Sequence, residues 1–573
     1  MEIIFQKMGQ EKRPVVISVI CLMVGVFMEI MVPFMISSFI DMSVEAGEIS
    51  SLYQSSVLMA ALLGAALVSG LISGRCTARA ASDFAADLRG SLYECIQKLP
   101  FEILDHYTMG SLIARMTTDV TSVQNAVQTI LGTFLRNVFL MAGTLLVSVF
   151  ISPVIGILFV TALVVSGLAA VAISGRALPL FAEGLGVYDG LNQSVKENIA
   201  AMRVVKAFVR EGAETDRFRE GSQHMYQCFV KAERITVLSN PIMMFAMDSC
   251  LIAVVWFGSR GVISARMSAG TLILLFTYTA NLMVSLLSLF GALYSIVMTI
   301  PSMQRIAEIL ECGQEETVSG EERELEDGSV SFEHVNFNYG EKRVLTDIHV
   351  YIPSGAVVGV VGATGSGKST FAQLIPGLYP VSDGKVTVGG IDVSRQGRGA
   401  WRERIGFVEQ NHVLFSGTIE ENIRWGNPAA SKEEVIRAAG IASADEFIGE
   451  LPEKYGTRIE RGGMNFSGGQ RQRLCIARAI VKRPDILILD DATSAVDTLL
   501  DQKIHRAIRA ELPGTTIVVI SQKIRQVMEC DCILVFDGGR ICGQGTHKEL
   551  LEGNQLYREI YESQQVGGDF DAD

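Results

Sequence analysis

Long apolar stretches dominate the first half of the chain. Six of them approach or exceed the roughly 20 residues that a helix needs to cross the hydrocarbon core of a bilayer. They cover residues 14–40, 52–74, 131–151, 154–175, 235–259 and 271–300. The pattern predicts an α-helical transmembrane domain of six spans over residues 1–310.

Charges between the apolar stretches indicate how the spans are oriented. The segments 75–129 and 176–234 carry many Lys and Arg residues, whereas the segment 41–51 has neither. Because positive residues mark the cytoplasmic side, we expect both termini and both long segments to be cytoplasmic. These segments keep an amphipathic helical pattern, which predicts long helix extensions beyond the bilayer. Residues 1–13 are expected to form a short amphipathic segment on the membrane.

Two carboxylates stand inside the predicted spans, Glu29 and Asp248. A charge is costly in lipid, so we expect each to face the interior of the helix bundle or a cavity. One interpretation is a carboxylate that lines a substrate cavity and favours cationic or amphipathic cargo. The other is an interhelical hydrogen bond or a position near the membrane interface. The sequence leaves both open.

The pattern changes near residue 330 to short β-branched runs that alternate with helical ones. This alternation predicts an α/β domain over residues 330–563. It is preceded by an acidic linker, 311–329, and followed by a disordered acidic tail, 564–573. These two segments hold most of the net charge of −13. The acidity therefore describes solvated connectors, and we expect no nucleic-acid partner.

The ten cysteines are scattered along the chain. They form no C-x-x-C pair, and no histidine stands at a spacing that indicates a zinc site. We therefore expect free thiols, mostly buried, in a reducing compartment.

One glycine-rich stretch lies between a β-branched run and a potential helix. Its residues are Gly362, Ala363, Thr364, Gly365, Ser366, Gly367, Lys368, Ser369 and Thr370. The pattern G-x-x-x-x-G-K-[ST] lets backbone N–H groups turn toward phosphate oxygens at a helix N-terminus. Lys368 would reach the β- and γ-phosphates, and the hydroxyl of Ser369 would bind Mg²⁺. The stretch predicts binding of a nucleoside triphosphate.

Further motifs follow the phosphate-binding stretch in a characteristic order. They are Phe466-Ser467-Gly468-Gly469-Gln470, the apolar run 486–489 with Asp490 after it, and Ser494-Ala495-Val496-Asp497. With these motifs, the second half resembles an ATP-binding cassette. The whole chain resembles a half-size ABC exporter of the multidrug or lipid type, with the type I exporter fold. The resemblance implies ATP and Mg²⁺ as cofactors.

The resemblance also implies roles for single residues. Tyr339 would stack on adenine, and Gln410 would link Mg²⁺ or water to the membrane domain. Asp490 would bind Mg²⁺ together with Ser369. Residues 466–470 would cap the γ-phosphate of an ATP held by a second cassette, and residues 494–497 would form the D-loop between the two cassettes. The segments 110–115 and 199–208 fall where the family has its coupling helices.

Two positions depart from the hydrolysing members of the family. Asp491 stands where those members have Glu, and Gln522 stands where they have His. Asp is shorter by one methylene, and Gln cannot take up a proton. Both changes remove catalytic groups from one site. Residues 466–470, which resemble the family's signature motif and are called the signature below, are intact except for Phe466 in place of Leu. The pair predicts a degenerate site that holds ATP.

These features favour one half of a heterodimeric bacterial exporter. A second half-transporter would supply Glu and His to the competent site, and this chain would hydrolyse ATP poorly alone. We expect it in the cytoplasmic membrane, surrounded by lipid, exporting amphipathic small molecules, lipids or peptides by alternating access. The alternatives are a slow homodimeric exporter, a siderophore-type importer, and an ATP-gated regulatory or channel-like protein. The sequence does not identify the cargo.

Overall fold

The computed structural model describes residues 12–45, 49–312, 325–393 and 400–566. These residues fall into two compact units. The first lies within Met1–Gln97 and Met109–Cys312, and the second within Lys98–Thr108 and Gly313–Asp573. The predicted N-terminal amphipathic segment, most of the acidic linker and the end of the acidic tail lie outside the described residues.

The described residues before position 325 are almost entirely helical. The helices are α1 (Lys12–Glu45), α2 (Ile49–Lys98), α3 (Phe101–Leu104), α4 (Met109–Ile151), α5 (Pro153–Ala200), α6 (Met202–Ala207), α7 (Glu211–Thr236), α8 (Ser239–Ile263) and α9 (Ala269–Cys312). By length and composition, six helical stretches of this described part could cross a membrane. The predicted six-span domain is confirmed, and α2 and α5 continue well past the predicted ends of their spans.

Small polar side chains fasten the first two spans to each other. The Ser18 and Thr77 hydroxyls lie 2.6 Å apart, and Ser73 donates from Oγ to the carbonyl oxygen of Ser18 at 3.1 Å. In lipid, where apolar contacts give helices no preference for each other, such residues bring backbones close and form hydrogen bonds between helices. A separate apolar core unites α1, α4, α5, α8 and α9, with Tyr278 fully buried in it.

Helix α4 contains two π-helical stretches, Arg115–Asp119 and Thr129–Phe134. A π-turn widens the helix and frees a carbonyl group, and such turns are frequent at functional sites. Here the Nδ2 atom of Asn137 donates to the carbonyl oxygen of Thr133 at 2.7 Å. The second π-helical stretch ends at Phe134, two residues before Arg136, which is the charged residue of this span.

The second unit is an α/β domain whose main sheet is parallel except for its antiparallel edge strand. Its strands are β1 (Val330–Tyr339), β2 (Lys342–Ile352), β3 (Val357–Gly362), β4 (Asp383–Val388), β5 (Ile391–Asp392), β6 (Ile405–Val408), β7 (Gly417–Thr418), β8 (Arg458–Ile459), β9 (Ile486–Asp490), β10 (Thr516–Ile520), β11 (Cys532–Asp537) and β12 (Arg540–Gly545). The main sheet has the order β12-β11-β3-β10-β9-β6, and an antiparallel sheet has the order β2-β1-β4-β5. Strands β3, β9 and β10 are buried on both faces, as helix-covered parallel strands are.

The helices of the second unit pack around the main sheet, and the antiparallel sheet covers one of its faces together with the helix after β3. The helices are α10 (Lys368–Leu374), α11 (Ile419–Arg424), α12 (Lys432–Ile441), α13 (Asp445–Glu450), α14 (Gly468–Ile480), α15 (Thr498–Glu511), α16 (His547–Gly553) and α17 (Gln555–Val566). Several begin with a side chain that caps the helix. The side chains of Ser431 and Thr546 each accept a hydrogen bond from the backbone N–H of the Glu three residues later. The carboxylate of that Glu accepts a hydrogen bond from the backbone N–H of the capping residue.

The structure corrects three predicted boundaries. Residues 98–108, expected within the transmembrane domain, pack with the cassette, where Phe101 lies 6.1 Å from the ring of Tyr379. Helix α9 continues into the predicted linker as far as Cys312. The last helix continues to Val566, so residues 564–566 are not part of a disordered tail. In each case a contact with distant residues or a continuing helix decides the end, which composition alone does not reveal.

Candidate functional site

Three parallel strands end together at one edge of the main sheet. Strand β10 lies between β3 and β9, and Ile520 pairs in register with Val360 on one side and with Asp490 on the other. The loops that follow parallel strands meet at their carboxyl ends, where α/β proteins bind ligands. The phosphate-binding stretch, the Asp490–Asp491 pair and Gln522 therefore come together, although they are distant in sequence.

The phosphate-binding stretch forms a tight loop between β3 and α10. Gly365 and Gly367 have φ values of 80° and 99°, which side chains rarely adopt. A Cβ atom on Gly367 would also lie 2.6 Å from Cδ2 of Leu345, whereas one on Gly365 would meet nothing within 4 Å. The glycines thus give the loop its curvature, and Gly367 also permits close packing against β2.

Lys368 turns back into this loop. Its Nζ atom donates to the carbonyl oxygens of Gly362 at 2.9 Å and Ala363 at 2.8 Å. Burial lowers the pKa of Lys368, while the carboxylates of Asp491 and Asp490 act in the opposite direction. The ammonium group therefore lies inside the loop and close to both carboxylates at the end of β9.

Asp490 and Ser369 present the oxygen atoms expected for Mg²⁺. Burial raises the pKa of Asp490 to about 6, and a hydrogen bond from Ser369 lowers it only in part. Among the described residues, the Oδ1 atom of Asp490 is buried without a hydrogen-bond partner. A carboxylate and a hydroxyl are hard oxygen ligands of the kind that Mg²⁺ prefers. These residues fit the ion that the sequence predicts.

Asp491 and Gln522 both reach this site. Asp491 has a φ of 47°, and its N–H donates to the carbonyl oxygen of Ile520 at 3.0 Å. The Oγ1 atom of Thr364 donates to Oε1 of Gln522 at 3.5 Å, the outer limit of a hydrogen bond. The side chain of Gln522 thus contacts the phosphate-binding loop, at the position where the resemblance leads us to expect His.

The last helix holds the loop that contains Gln522. From α17, Gln564 donates from Nε2 to the carbonyl oxygen of Gln522 at 2.8 Å and accepts from the N–H of Ile524 at 2.9 Å. In the same loop, Gln526 donates to Thr493 at 3.0 Å and accepts from Ser521. The sequence alone does not reveal the roles of Gln564 and Gln526, because a Gln in a helix or turn carries no local signal for such a contact.

Gln410 and Tyr339 flank the nucleotide loop. Gln410 is exposed and follows β6, which pairs with β9 in parallel. Tyr339 ends β1, and its hydroxyl donates to Oε1 of Gln373 at 2.9 Å. Burial raises the pKa of Tyr339. With 37% of its surface exposed, the ring is accessible to a flat ligand.

Tyr339 is also linked to the segment that precedes α4. Its ring meets Tyr379 edge to face at 5.2 Å, and the Tyr379 hydroxyl donates to Oδ2 of Asp105 at 2.6 Å. Burial raises the pKa of Tyr379, and Asp105 raises it further. The sequence alone does not reveal that Tyr379 and Asp105 are partners, because 274 residues separate them. The two predicted coupling segments are helical. Residues 110–115 lie at the start of α4 and reach the first residue of its first π-helical stretch, and residues 199–208 include α6.

The signature and the D-loop contact each other within the chain. Ser467 caps α14 by a capping box with Gln470, and Phe466 is buried against Phe447 at 6.2 Å. From α14, Gln472 donates to Ser494 and accepts from the N–H of Ala495, each at 3.0 Å.

The neighbouring residues of both motifs complete this contact. A Cβ atom on Gly469 would lie 3.0 Å from the carbonyl oxygen of Ala495, and one on Gly468 would lie 3.6 Å from Cβ of Ala495. Val496 packs near Gly469, and Asp497 caps α15 by accepting from the N–H of Leu500 at 3.0 Å. A movement of the D-loop would therefore displace the first turn of α14, which it contacts.

Within the helical unit, a cavity of about 760 Å³ opens between α1, α2, α4 and α9. Glu29 lines it and is paired with Arg136, whose Nη2 atom lies 2.8 Å from Oε2. Glu29 thus lines a cavity inside the helical unit, and the charge of Arg136 balances its own. Asp248 is exposed on α8 and is not among the residues that line this cavity.

Two known protein families match separate parts of the chain. Residues 15–286 match the ABC transporter transmembrane region, and residues 345–494 match the ABC transporter family. The uncharacterized ABC transporter ATP-binding protein YfiB of Bacillus subtilis is 34% identical over 479 residues, 83% of either chain. A fatty acid ABC transporter ATP-binding/permease protein of Mycobacterium tuberculosis is 31% identical over 474 residues, 82% of this chain and 75% of the relative.

A solved structure shares the fold over nearly the whole chain. A bacterial Atm1-family ABC exporter with ATP bound superposes with a TM-score of 0.86 and covers 96% of this chain and 98% of its own. The two chains are 24% identical, so this likeness concerns the fold.

Proposed function

The chain belongs to the ABC transporter family, and we propose that it is one half of an ATP-driven exporter whose own nucleotide site retains ATP. Its cassette and six membrane-spanning helices are fused as in a half-transporter. We place the cassette and both termini in the cytoplasm of a bacterial cell, since the positive segments lie on that side of the spans. Two such halves form the working unit.

One observation carries the proposal: Asp491 and Gln522 lie at the end of β9 and after β10, beside the phosphate-binding loop. A base that orients water must lie within hydrogen-bond reach of it. The Asp carboxylate is retracted by more than about 1 Å relative to Glu, and a displacement of about 1 Å can cost a factor of 100 in rate. Gln522 can hold a phosphate oxygen or water, but it cannot carry a proton.

The remaining residues are arranged for retention of ATP. The loop amides and Lys368 would hold the phosphates, and Tyr339 would stack on the base. Ser369 and Asp490 would bind Mg²⁺, which supplies positive charge that neutralises the phosphate oxygens. Gln410 would contact the same ion or its water. Hydrolysis would then occur mainly at the second site, which the signature Phe466–Gln470 of this chain would complete.

The cavity beside Glu29 supports a class of cargo. Its walls are mostly apolar, and its central charges, Glu29 and Arg136, cancel each other. A free carboxylate would favour cations, but a paired one does not. We therefore propose amphiphiles with a neutral or zwitterionic head, since each charge of such a head would find a partner.

The test compares the purified chain in lipid nanodiscs alone and with a second half-transporter that has Glu and His at the positions of Asp491 and Gln522. We expect the chain alone to bind ATP, to lose it in Lys368→Ala, and to hydrolyse it slowly. The pair should hydrolyse ATP at least about 100-fold faster, as expected when a general base is restored. Rapid hydrolysis by the chain alone that disappears in Asp491→Asn would contradict a retained-ATP site.

Transport is tested separately in inside-out vesicles. ATP-dependent accumulation of a labelled zwitterionic amphiphile by the pair would support export. Accumulation only in right-side-out vesicles would contradict it. The matched control is the same pair with Lys368→Ala in this chain, which should accumulate less cargo because its site cannot hold ATP.

A further inference from the structure

Helices α5 and α7 form an antiparallel hairpin with α6 at its turn. Three contacts along the hairpin show a constant register. Gly184 faces Cys228, Gly221 faces Leu191, and Asn198 donates to Glu214 at 2.6 Å. A Cβ atom on Gly184 would lie 3.5 Å from Cβ of Cys228, so the two helices are in close contact at this level. The register brings a cluster of different polar groups onto one side of the hairpin.

This cluster consists of Glu183 from α5 with His224 and Cys228 from α7. Its donor atoms, a carboxylate oxygen, an imidazole nitrogen and the thiol sulfur, all lie within 4.8 Å of one another. His224 and Cys228 are four residues apart and therefore share one helix face. Glu183 and His224 are exposed, whereas Cys228 is only 4% exposed. The site thus has a buried sulfur and an open side toward solvent.

We propose that Glu183, His224 and Cys228 bind a divalent transition-metal ion, and that Zn²⁺ fits them best. Zn²⁺ binds sulfur at about 2.3 Å and nitrogen or oxygen at about 2.0–2.2 Å, which separates ligand atoms by less than about 4 Å. Small rotations of the two exposed side chains reach these distances. Mg²⁺ and Ca²⁺ are excluded as preferred ions, because they select oxygen ligands. Three protein ligands leave a fourth position for water.

The surroundings of Cys228 favour a rigid site. Phe181 and Phe229 pack at 6.0 Å, and the fully buried Ala232 continues the same apolar cluster. This packing orients the part of α7 that carries both ligands. Metal binding requires the thiolate, so the ion would displace the thiol proton. A bound ion would cross-link α5 to α7 and would restrict how the hairpin, with α6 at its turn, opens.

The proposed metal site shares no residue with the nucleotide site. The sequence gives no zinc signal here, because such signals consist of cysteines and histidines close together in characteristic spacings. Here the third ligand lies more than 40 residues away in sequence, on a different helix. The hairpin register, which only the packed structure shows, brings Glu183 to the other two residues.

The test is titration of the reduced, metal-free full chain in nanodiscs with Co²⁺, an optical probe for zinc sites. We expect one equivalent to give a thiolate-to-cobalt charge-transfer band that Zn²⁺ abolishes. Cys228→Ser should remove the band, and His224→Gln and Glu183→Gln should each weaken Co²⁺ binding by more than about tenfold. Because Glu183 and His224 are exposed, we expect both replacements to leave the fold intact. The control Cys542→Ser, at an exposed thiol of the other unit, should keep the band.

Two results would overturn the proposal. One is a band that persists in Cys228→Ser, which would assign it to another thiol. The other is unchanged affinity in both His224→Gln and Glu183→Gln, which would reduce the site to a single cysteine. The measurement involves no nucleotide or cargo, so it is independent of whether the chain exports anything.

Discussion

The Nη2 atom of Arg136 lies 2.9 and 2.8 Å from the two carboxylate oxygens of Glu29, across a cavity between membrane-spanning helices. Each charge alone would be costly at this depth, and the pair removes most of that cost. The residues are 107 positions apart, and the second π-helical stretch of α4 ends two residues before Arg136. The arrangement makes the cavity neutral while it retains both signs of charge.

Removal of either partner should change which head groups bind. Glu29→Gln leaves Arg136 unpaired and should favour anionic amphiphiles, whereas Arg136→Gln should favour cationic ones. A charge-assisted hydrogen bond contributes about 1.5–3 kcal/mol, so we expect a shift of about tenfold or more in relative affinity. Competition binding with amphiphiles of equal chain length and different heads measures it. Asp248→Asn, which does not alter the cavity, should leave the preference unchanged; equal preferences in all variants would refute the cargo proposal.

A second prediction concerns the hydrolytic groups. The double variant Asp491→Glu with Gln522→His should raise ATP hydrolysis by the chain alone at least about tenfold, since general-base catalysis contributes about 100-fold or more. The φ of 47° at Asp491 suits Asp better than Glu, so thermal stability should fall slightly. The same variant with Lys368→Ala should stay inactive. Unchanged hydrolysis with intact ATP binding would show that Asp491 and Gln522 do not limit the rate.

The two glycines of the phosphate-binding loop provide a matched pair. Gly365→Ala and Gly367→Ala both place a side chain at positive φ, at a cost of about 1–2 kcal/mol. Only Gly367→Ala also meets Leu345, at 2.6 Å, and overpacking of this kind costs about 1–3 kcal/mol more. Thermal unfolding and ATP binding should therefore be impaired more in Gly367→Ala. Equal losses in the two variants would contradict this packing.

The raised pKa of Asp490, about 6, predicts a pH dependence of Mg²⁺ binding. Mg²⁺ needs the ionised carboxylate, so affinity should fall about tenfold for each pH unit below this value. Without metal the sign is opposite, because the folded chain holds the proton more tightly than an unfolded one. This contribution to stability is therefore present at low pH and is lost as the pH rises from about 4 to about 6.

Mg²⁺-dependent ATP binding across this range is the measurement. ATP itself also takes up protons as the pH falls, and the Asp490→Asn variant, which lacks the carboxylate, separates that effect. The difference between the two proteins should show the transition near pH 6. A flat difference would mean that Asp490 is not the metal ligand.

The contact between Gln564 and the loop after β10 predicts a local effect. Gln564→Ala removes the acceptor of the Ile524 N–H and the donor to the Gln522 carbonyl. One hydrogen bond contributes about 1 kcal/mol, so the Ile524 amide should exchange with solvent about fivefold faster. The neighbouring Gln565 contacts Tyr561 instead, and Gln565→Ala should leave this exchange rate unchanged. Equal rates in both variants would show that α17 does not hold the loop.

Much of this molecule was predictable, because its strongest signals are local. Six apolar runs predicted six spans, since a helix needs about 20 apolar residues to cross the hydrocarbon core. The stretch Gly362–Thr370 predicted a phosphate-binding loop, since glycines and a following helix create an anion site within a few residues. The sequence also identifies Asp491 and Gln522 as replacements for Glu and His, since each residue follows closely after a recognisable apolar strand.

The tertiary structure decided what depends on pairing between distant residues. Hydropathy marks Glu29 as costly, but only the packing of α1 against α4 reveals its partner, Arg136. The same holds for Asp105 with Tyr379, and for Glu183 with His224 and Cys228. A local pattern determines which element forms and which residues it carries. The register in which two elements pack depends on the summed contacts of many side chains, so the sequence alone does not state which charges and ligands meet.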